Sequence, residues 1–110
     1  WMLMNYQIFI AKEKRHEAES ALFNLAASLE AFALSHGSYQ GASLSTLKID
    51  SFTSRHSYHL KITKLTNNHF IVSANPQSQQ ADIDKACGMM SLSSEGRKSA
   101  SGTSGWQRCW

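Results

Sequence analysis

From Tyr6 to about Ser35 the chain contains neither proline nor glycine, the residues that most readily interrupt a helix. Over that span Ile8, Ala11, Ala18, Leu22, Leu25, Leu29 and Phe32 recur in alternating three- and four-residue steps, with Arg15 alone breaking the series. Such spacing gathers the apolar groups into one stripe of an α-helix. Gly37 stands where a helix end favours left-handed backbone, and Arg15 with Glu19, one turn apart, reads as an ion pair on the wet face. About thirty residues at ~1.5 Å each make a rod of roughly 45 Å, whereas a compact domain of this size has a radius of gyration near ~13 Å. Part of the rod must therefore project. The projecting end carries Tyr6, Ile8, Phe9 and Ile10, which call for a partner or for a continuation of the helix.

At 110 residues and 42% hydrophobic, the chain suits one domain with a modest core. Residues 37–57 mix Gly, Ser and Thr with scattered apolar groups and read as an irregular connection partly laid on that core. Tyr58, Leu60 and Ile62 then alternate with His59, Lys61 and Thr63, the pattern of a strand with one buried face. Asn67 and Asn68 make a turn, and Phe70, Val72 and Ala74 alternate again until Asn75 and Pro76 end the hairpin. Residues 77–85 read as a polar loop. Met90 and Leu92 form a third strand, Glu95 and Gly96 a turn, and Lys98 and Ala100 a weaker fourth. The expected fold class is α+β, a long N-terminal helix packed on a small antiparallel sheet of about four strands, because neither apolar face can be buried alone. A helical bundle with an unstructured tail would leave the alternation from Tyr58 to Ala74 unexplained.

Cys87 and Cys109 are far apart and form no CxxC pair, which fits a structural disulfide better than a redox couple or a zinc site. The alternative is two unrelated buried thiols. A bond between them would close the Ser- and Gly-rich C-terminal region, stabilise by roughly 3 kcal/mol in the chain-entropy picture, and imply an oxidising compartment.

Little here suggests an enzyme. His56 and His59 are the only close pair among five histidines, and alternation along a strand would point their rings apart, so no metal is expected. There is no GxSxG elbow and no Gly-rich phosphate loop, and Asp82 and Asp84 read as solvated charges in a loop; no cofactor is expected. Net charge is +3 with a pI near 9.0, although Lys12, Glu13, Lys14, Arg15, Glu17 and Glu19 largely cancel within one segment. Lys61, Lys64, Arg97, Lys98 and Arg108, with Trp106 and Trp110, combine cations and stacking rings and form the candidate contact for nucleic acid or an anionic surface. The plainer reading is a lightly charged surface with tryptophans covering the disulfide.

Tyr6-Gln7 is followed by Arg15-His16-Glu17-Ala18, Leu22, Leu25-Ala26 and Leu29-Glu30, then by Ser38-Tyr39-Gln40-Gly41-Ala42. Tyr58, Leu60, Ile62 and Phe70 to Pro76 come next, with Gln80 and Asp84. Last and most specific are Cys87-Gly88, Met90, Leu92, Gly96-Arg97-Lys98, Gly102 and the closing Cys109-Trp110. In this order the segments resemble a type IV pilin of the type IVa class, in particular the PilE-type minor pilins, over nearly the whole chain from Tyr6 onward.

The resemblance implies a structural subunit and not an enzyme. Family members are held in the inner membrane facing the periplasm by an apolar first helical half, then polymerise with other pilins into an extracellular pilus. That half, its leader cleavage site and the early helical glutamate are not matched here. The chain is accordingly read as a truncated domain in which residues 1–5 are foreign and 6–110 are pilin: helix 6–36, connection 37–57, sheet 58–101 and disulfide-closed region 87–109. The implied function is a pilus subunit supporting adhesion, twitching motility or biofilm formation, with sister subunits and host or abiotic surfaces as partners. A DNA-binding pilin for natural transformation is the rival. A pseudopilin of a type II secretion system is a third reading, weakened because that group more often fixes its last loop with calcium and Asp82 with Asp84 is a thin ligand set.

Overall fold

The computed structural model describes residues 2–110; the expectation of foreign residues at 1–5 falls partly on Trp1, which lies outside the described residues. Helix α1, Met2–His36, is 35 residues long and sets the length of a molecule measuring 53 × 24 × 16 Å. Its C-terminus follows the expected glycine signal: Gly37 takes a φ of 84° and its N–H donates to the Ala33 carbonyl at 2.7 Å. His36 stacks on Phe32 with ring centroids 4.0 Å apart and closes the last turn.

Four strands follow, β1 Tyr58–Leu65, β2 Phe70–Pro76, β3 Met90–Ser93 and β4 Lys98–Ala100, paired antiparallel in sequence order. The α+β architecture expected from the sequence is the one observed. Ala18, Leu22, Leu25 and Leu29 of α1 meet Tyr58, Leu60, Phe70, Val72, Ala74, Met90 and Leu92 in one buried cluster. Each large apolar side chain so enclosed contributes about 1.5–3 kcal/mol relative to exposure, which fixes the helix across the sheet. The connection 37–57 forms no helix or strand, yet Tyr39, Leu44, Leu47 and Ile49 lean on the same cluster, and Tyr39 meets Phe70 edge to face at 5.0 Å. Toward its N-terminus α1 carries Tyr6, Ile8 and Phe9 exposed, so apolar groups at this end are left largely uncovered by the domain.

Three local expectations are corrected. Residues 77–85 are not simply a loop, because Ser78–Ile83 form a short helix, α2. It is held by a tertiary contact that local polarity cannot reveal: buried Gln80 donates through Nε2 to the Ala11 carbonyl at 2.8 Å and to the Tyr58 hydroxyl at 3.1 Å. Arg15 does not pair with Glu19 in water. It is buried, donating from Nη1 to Asp84 Oδ1 at 2.6 Å and from Nε to the Cys109 carbonyl at 3.1 Å, while Glu19 instead faces His16 at 3.1 Å. Asp84 is correspondingly no solvated loop charge, since it also accepts from the Tyr58 hydroxyl at 3.3 Å.

Candidate nucleic-acid interface

The sheet has an inner face against α1 and an outer face turned away from it, and the pairing register assigns each cation to one of them. Strict alternation from Leu60 and Ile62 would turn Lys64 inward. The register between β1 and β2 shifts at Thr63, so that Ile62 faces Val72 but Lys64 already faces Ile71, and Lys61 faces Ser73. The extra residue is a β-bulge. It places Lys61 and Lys64 together on the outer face, three residues apart, and both are exposed. Thr63 uses its hydroxyl locally, donating to the Ile71 carbonyl at 3.1 Å.

At the opposite edge Gly96, with a φ of 83°, turns the chain from β3 into β4. Arg97 comes next, and its carbonyl accepts from the Ser93 N–H at 3.0 Å, which sets it beside Ser93 on the outer side. Arg97, Ser99 and the half-exposed Trp106 line a shallow groove of about 720 Å³ with Glu95, Gly96 and Lys98. Trp106 and Arg108 belong to a single-turn helix, α3, Trp106–Cys109.

Lys98 behaves differently from its neighbours. It pairs with Leu92, so it springs from the inner face, and its ammonium sits 5.7 Å from the ring centroids of both Phe23 and Trp110. Those rings meet each other edge to face at 5.6 Å. A cation held over two aromatic faces shields them from water, the kind of contact worth about 0.5–1 kcal/mol at an exposed site. The predicted group thus divides. Lys61 and Lys64 stand on one edge, Arg97 with Trp106 and Arg108 on the other, and Lys98 is turned toward the helix.

The tail that carries Trp106 and Arg108 is fixed by several ties. Cys87 and Cys109 form a disulfide with Cα atoms 5.7 Å apart. Gly102 N–H donates to the Cys87 carbonyl at 2.9 Å, and a Cβ on Gly102 would lie 2.2 Å from the Ala86 carbonyl oxygen, so only glycine lets the two segments approach. Trp110 donates from Nε1 to the Ser99 carbonyl at 3.0 Å along the free edge of β4. Arg15 then joins the Cys109 carbonyl to the middle of α1. Tyr58, in the same polar node, is fully buried, and that burial pushes its phenol up to about 12, with Asp84 adding to the rise and the Gln80 hydrogen bond opposing it.

His56 and His59 do not point apart as expected. His56 precedes β1 in left-handed backbone, with a φ of 57°, and both rings rest near Phe52, at 5.5 and 4.8 Å. Among the described residues no group of three His, Cys, Asp or Glu side chains is placed to hold a metal ion. Nor is any helix among them long and apolar enough to cross a membrane.

A long helix lying across an antiparallel four-stranded meander, with its tail tied back by a disulfide, is the architecture of a pilin. The fold is shared with the crystal structure of the non-core minor pilin PilV of Neisseria meningitidis, at 19% sequence identity and a TM-score of 0.66, over 86% of this chain and 89% of that one. The chain belongs to the family described as "Type IV minor pilin ComP, DNA uptake sequence receptor", whose model matches residues 5–91. No curated protein sequence matches it. The family match includes Lys61 and Lys64 and stops before Arg97, so the cations at the β4 edge rest on geometry alone.

Proposed function

We propose that this chain is the globular part of a type IV minor pilin that captures duplex DNA at the surface of the fibre. The observation that carries the reading is the match over residues 5–91 to a family described as a DNA uptake sequence receptor. The charge balance supports it: net charge is +3, and Lys61, Lys64, Arg97 and Arg108 take part in no ion pair among the described residues. Unpaired cations gain most from phosphates, because each contact releases condensed counterions. The same subunit, when continued by an apolar helix, is held in the inner membrane and then drawn into the extracellular fibre, where sister pilins cover Tyr6, Ile8 and Phe9.

Gel-shift titration of the oxidised chain with duplex DNA at low and at moderate salt tests the reading. Retardation that weakens steeply as salt rises is the expected result. Absence of retardation at low salt would remove DNA capture and leave a subunit with a purely structural part in the fibre.

A further inference from the structure

The strand order places β1 and β4 at the two edges of the sheet, and the edges are finished differently. β4 is only three residues long, and Trp110 donates from Nε1 to its Ser99 carbonyl. Along β1 the connection 37–57 covers the two ends and not the middle. Ser51 accepts from the Leu60 N–H at 2.6 Å and Thr53 donates to the Tyr58 carbonyl at 3.0 Å, while beyond the far end of the strand Tyr39 donates to the Asn67 carbonyl at 3.1 Å. We propose that the uncovered stretch of β1, from Ile62 to Leu65, takes up an extended segment of a partner protein as an added strand, and that this segment alternates apolar and acidic side chains; the inference stands apart from the DNA-capture reading.

The register leaves the backbone there free to pair. The Leu60 N–H points out of the sheet to Ser51, and antiparallel alternation turns the N–H and C=O of Ile62, two residues on, the same way. At the other end the Thr66 N–H donates to the His69 carbonyl across the turn, and the Phe70 carbonyl accepts from Ser94 on the side away from β1, so Leu65, the partner of Phe70, also faces outward. Among the described residues no loop backbone bonds to Ile62 or Leu65. Ile62 stands opposite Val72 and Leu65 opposite Phe70, so the bulge fits three steps of β1 into the length of two on β2. The two outward residues are therefore spaced as on a regular strand, and one incoming strand can bond both. Edge pairing of this kind draws affinity from main-chain hydrogen bonds and specificity from alternate side chains.

The two sides of the edge define the occupant. On the inner side a groove of about 550 Å³ lies between β1 and the connection, lined by Leu44, Leu60, Ile62 and Leu65, with Ser45 and Lys61 at its rim. On the outer side stand the exposed Lys61 and Lys64. Side chains of a strand alternate between its faces, so every second one enters the groove and the others lie beside the lysines. Among the described residues no acid lines the groove to repel an acidic segment. A second copy of β1 fits badly, because self-pairing would set lysines against lysines.

Fluorescence anisotropy of the parent chain with a labelled, capped peptide of alternating valine and glutamate tests the proposal, beside a peptide of the same composition arranged in two blocks. The alternating peptide should bind, and the block peptide should bind at least about tenfold more weakly. Two further peptides carry N-methyl groups, one on its valine amides and one on its glutamate amides. A strand offers alternate N–H groups to opposite edges, so only one of these two should lose binding. The variant K61E/K64E, after thermal melting has shown that it keeps the parent transition, should bind the glutamate peptide at least about tenfold more weakly and should gain binding of the peptide in which lysine replaces glutamate. No binding of the alternating peptide, equal binding of the block peptide, equal effects of the two methylations, or a charge-reversed variant that still prefers glutamate would each overturn the proposal. Should that variant lose its transition, the methylated peptides, read on the parent chain, decide alone. Duplex binding is a separate measurement, and none of these outcomes bears on DNA capture.

Discussion

Arg15 breaks the apolar stripe of α1 because its position faces the tail of the chain and not hydrocarbon. Its guanidinium satisfies Asp84 and the Cys109 carbonyl at once, and Asp84 in turn receives the Tyr58 hydroxyl. A buried charge held this way is tolerated because a carboxylate and a carbonyl both receive it. Tyr58 gives this node a measurable signature. In the unfolded chain its phenol ionises near its ordinary value of 10.0, whereas in the folded chain it stays neutral to about 12. Because the folded value is the higher one, its contribution is intact below pH 10.0 and is lost as pH climbs from there to about 12. The loss is on the order of 2 kcal/mol, at about 1.4 kcal/mol per pH unit and reduced for partial solvation. Tyr58→Phe should cost about 1–2 kcal/mol at neutral pH through two lost hydrogen bonds, and should remove that portion of the alkaline decline. Urea titrations of both proteins at pH 7, 10 and 11.5 measure the difference; parallel declines would contradict it.

The elements differ in how far local sequence determines them. Helix α1 and strands β1 and β2 carry their periods openly, since Leu22, Leu25 and Leu29, or Phe70, Val72 and Ala74, each mark one face without reference to the rest of the chain. The short helix α2 is polar along its length and is held by Gln80 reaching Ala11 and Tyr58, so its signal lies in residues far away in sequence. The bulge at Thr63 is likewise silent, because an alternating pattern does not announce where one residue is skipped; Lys61 and Lys64 are grouped in the sequence by charge, and the shift that puts them on one side is visible only in the register. Lys98 looks like its cationic neighbours until its strand partner Leu92 turns it toward Phe23 and Trp110. The disulfide, by contrast, was legible from two isolated cysteines around a segment too poor in apolar groups to order itself. Replacing Cys109 with Ser should free the segment from Cys87 to Trp110 at a cost of about 3 kcal/mol while α1 and the β1–β2 hairpin stay folded. Limited proteolysis should then cut between Ser93 and Gly105 first; unchanged resistance to protease and unchanged melting would refute the role of the bond.

At the scale of the molecule, a 53 Å rod is attached to a domain only 24 × 16 Å across, and the far end of the rod exposes Tyr6, Ile8 and Phe9. Apolar groups left more than half exposed along one end of a helix favour association. The chain should therefore sediment with a coefficient that rises with concentration, and Ile8→Gln with Phe9→Gln should weaken that association at least about tenfold, equivalent to ~1.4 kcal/mol of lost burial. A parent chain that stays monomeric across the accessible range would show that this end does not self-associate. The tie between Arg15 and Cys109 has a further consequence in time. It joins positions 94 residues apart in sequence. Until the segment from Cys87 to Cys109 docks on α1, the guanidinium lacks the carbonyl that receives it, so closing that segment and burying the charge are one event.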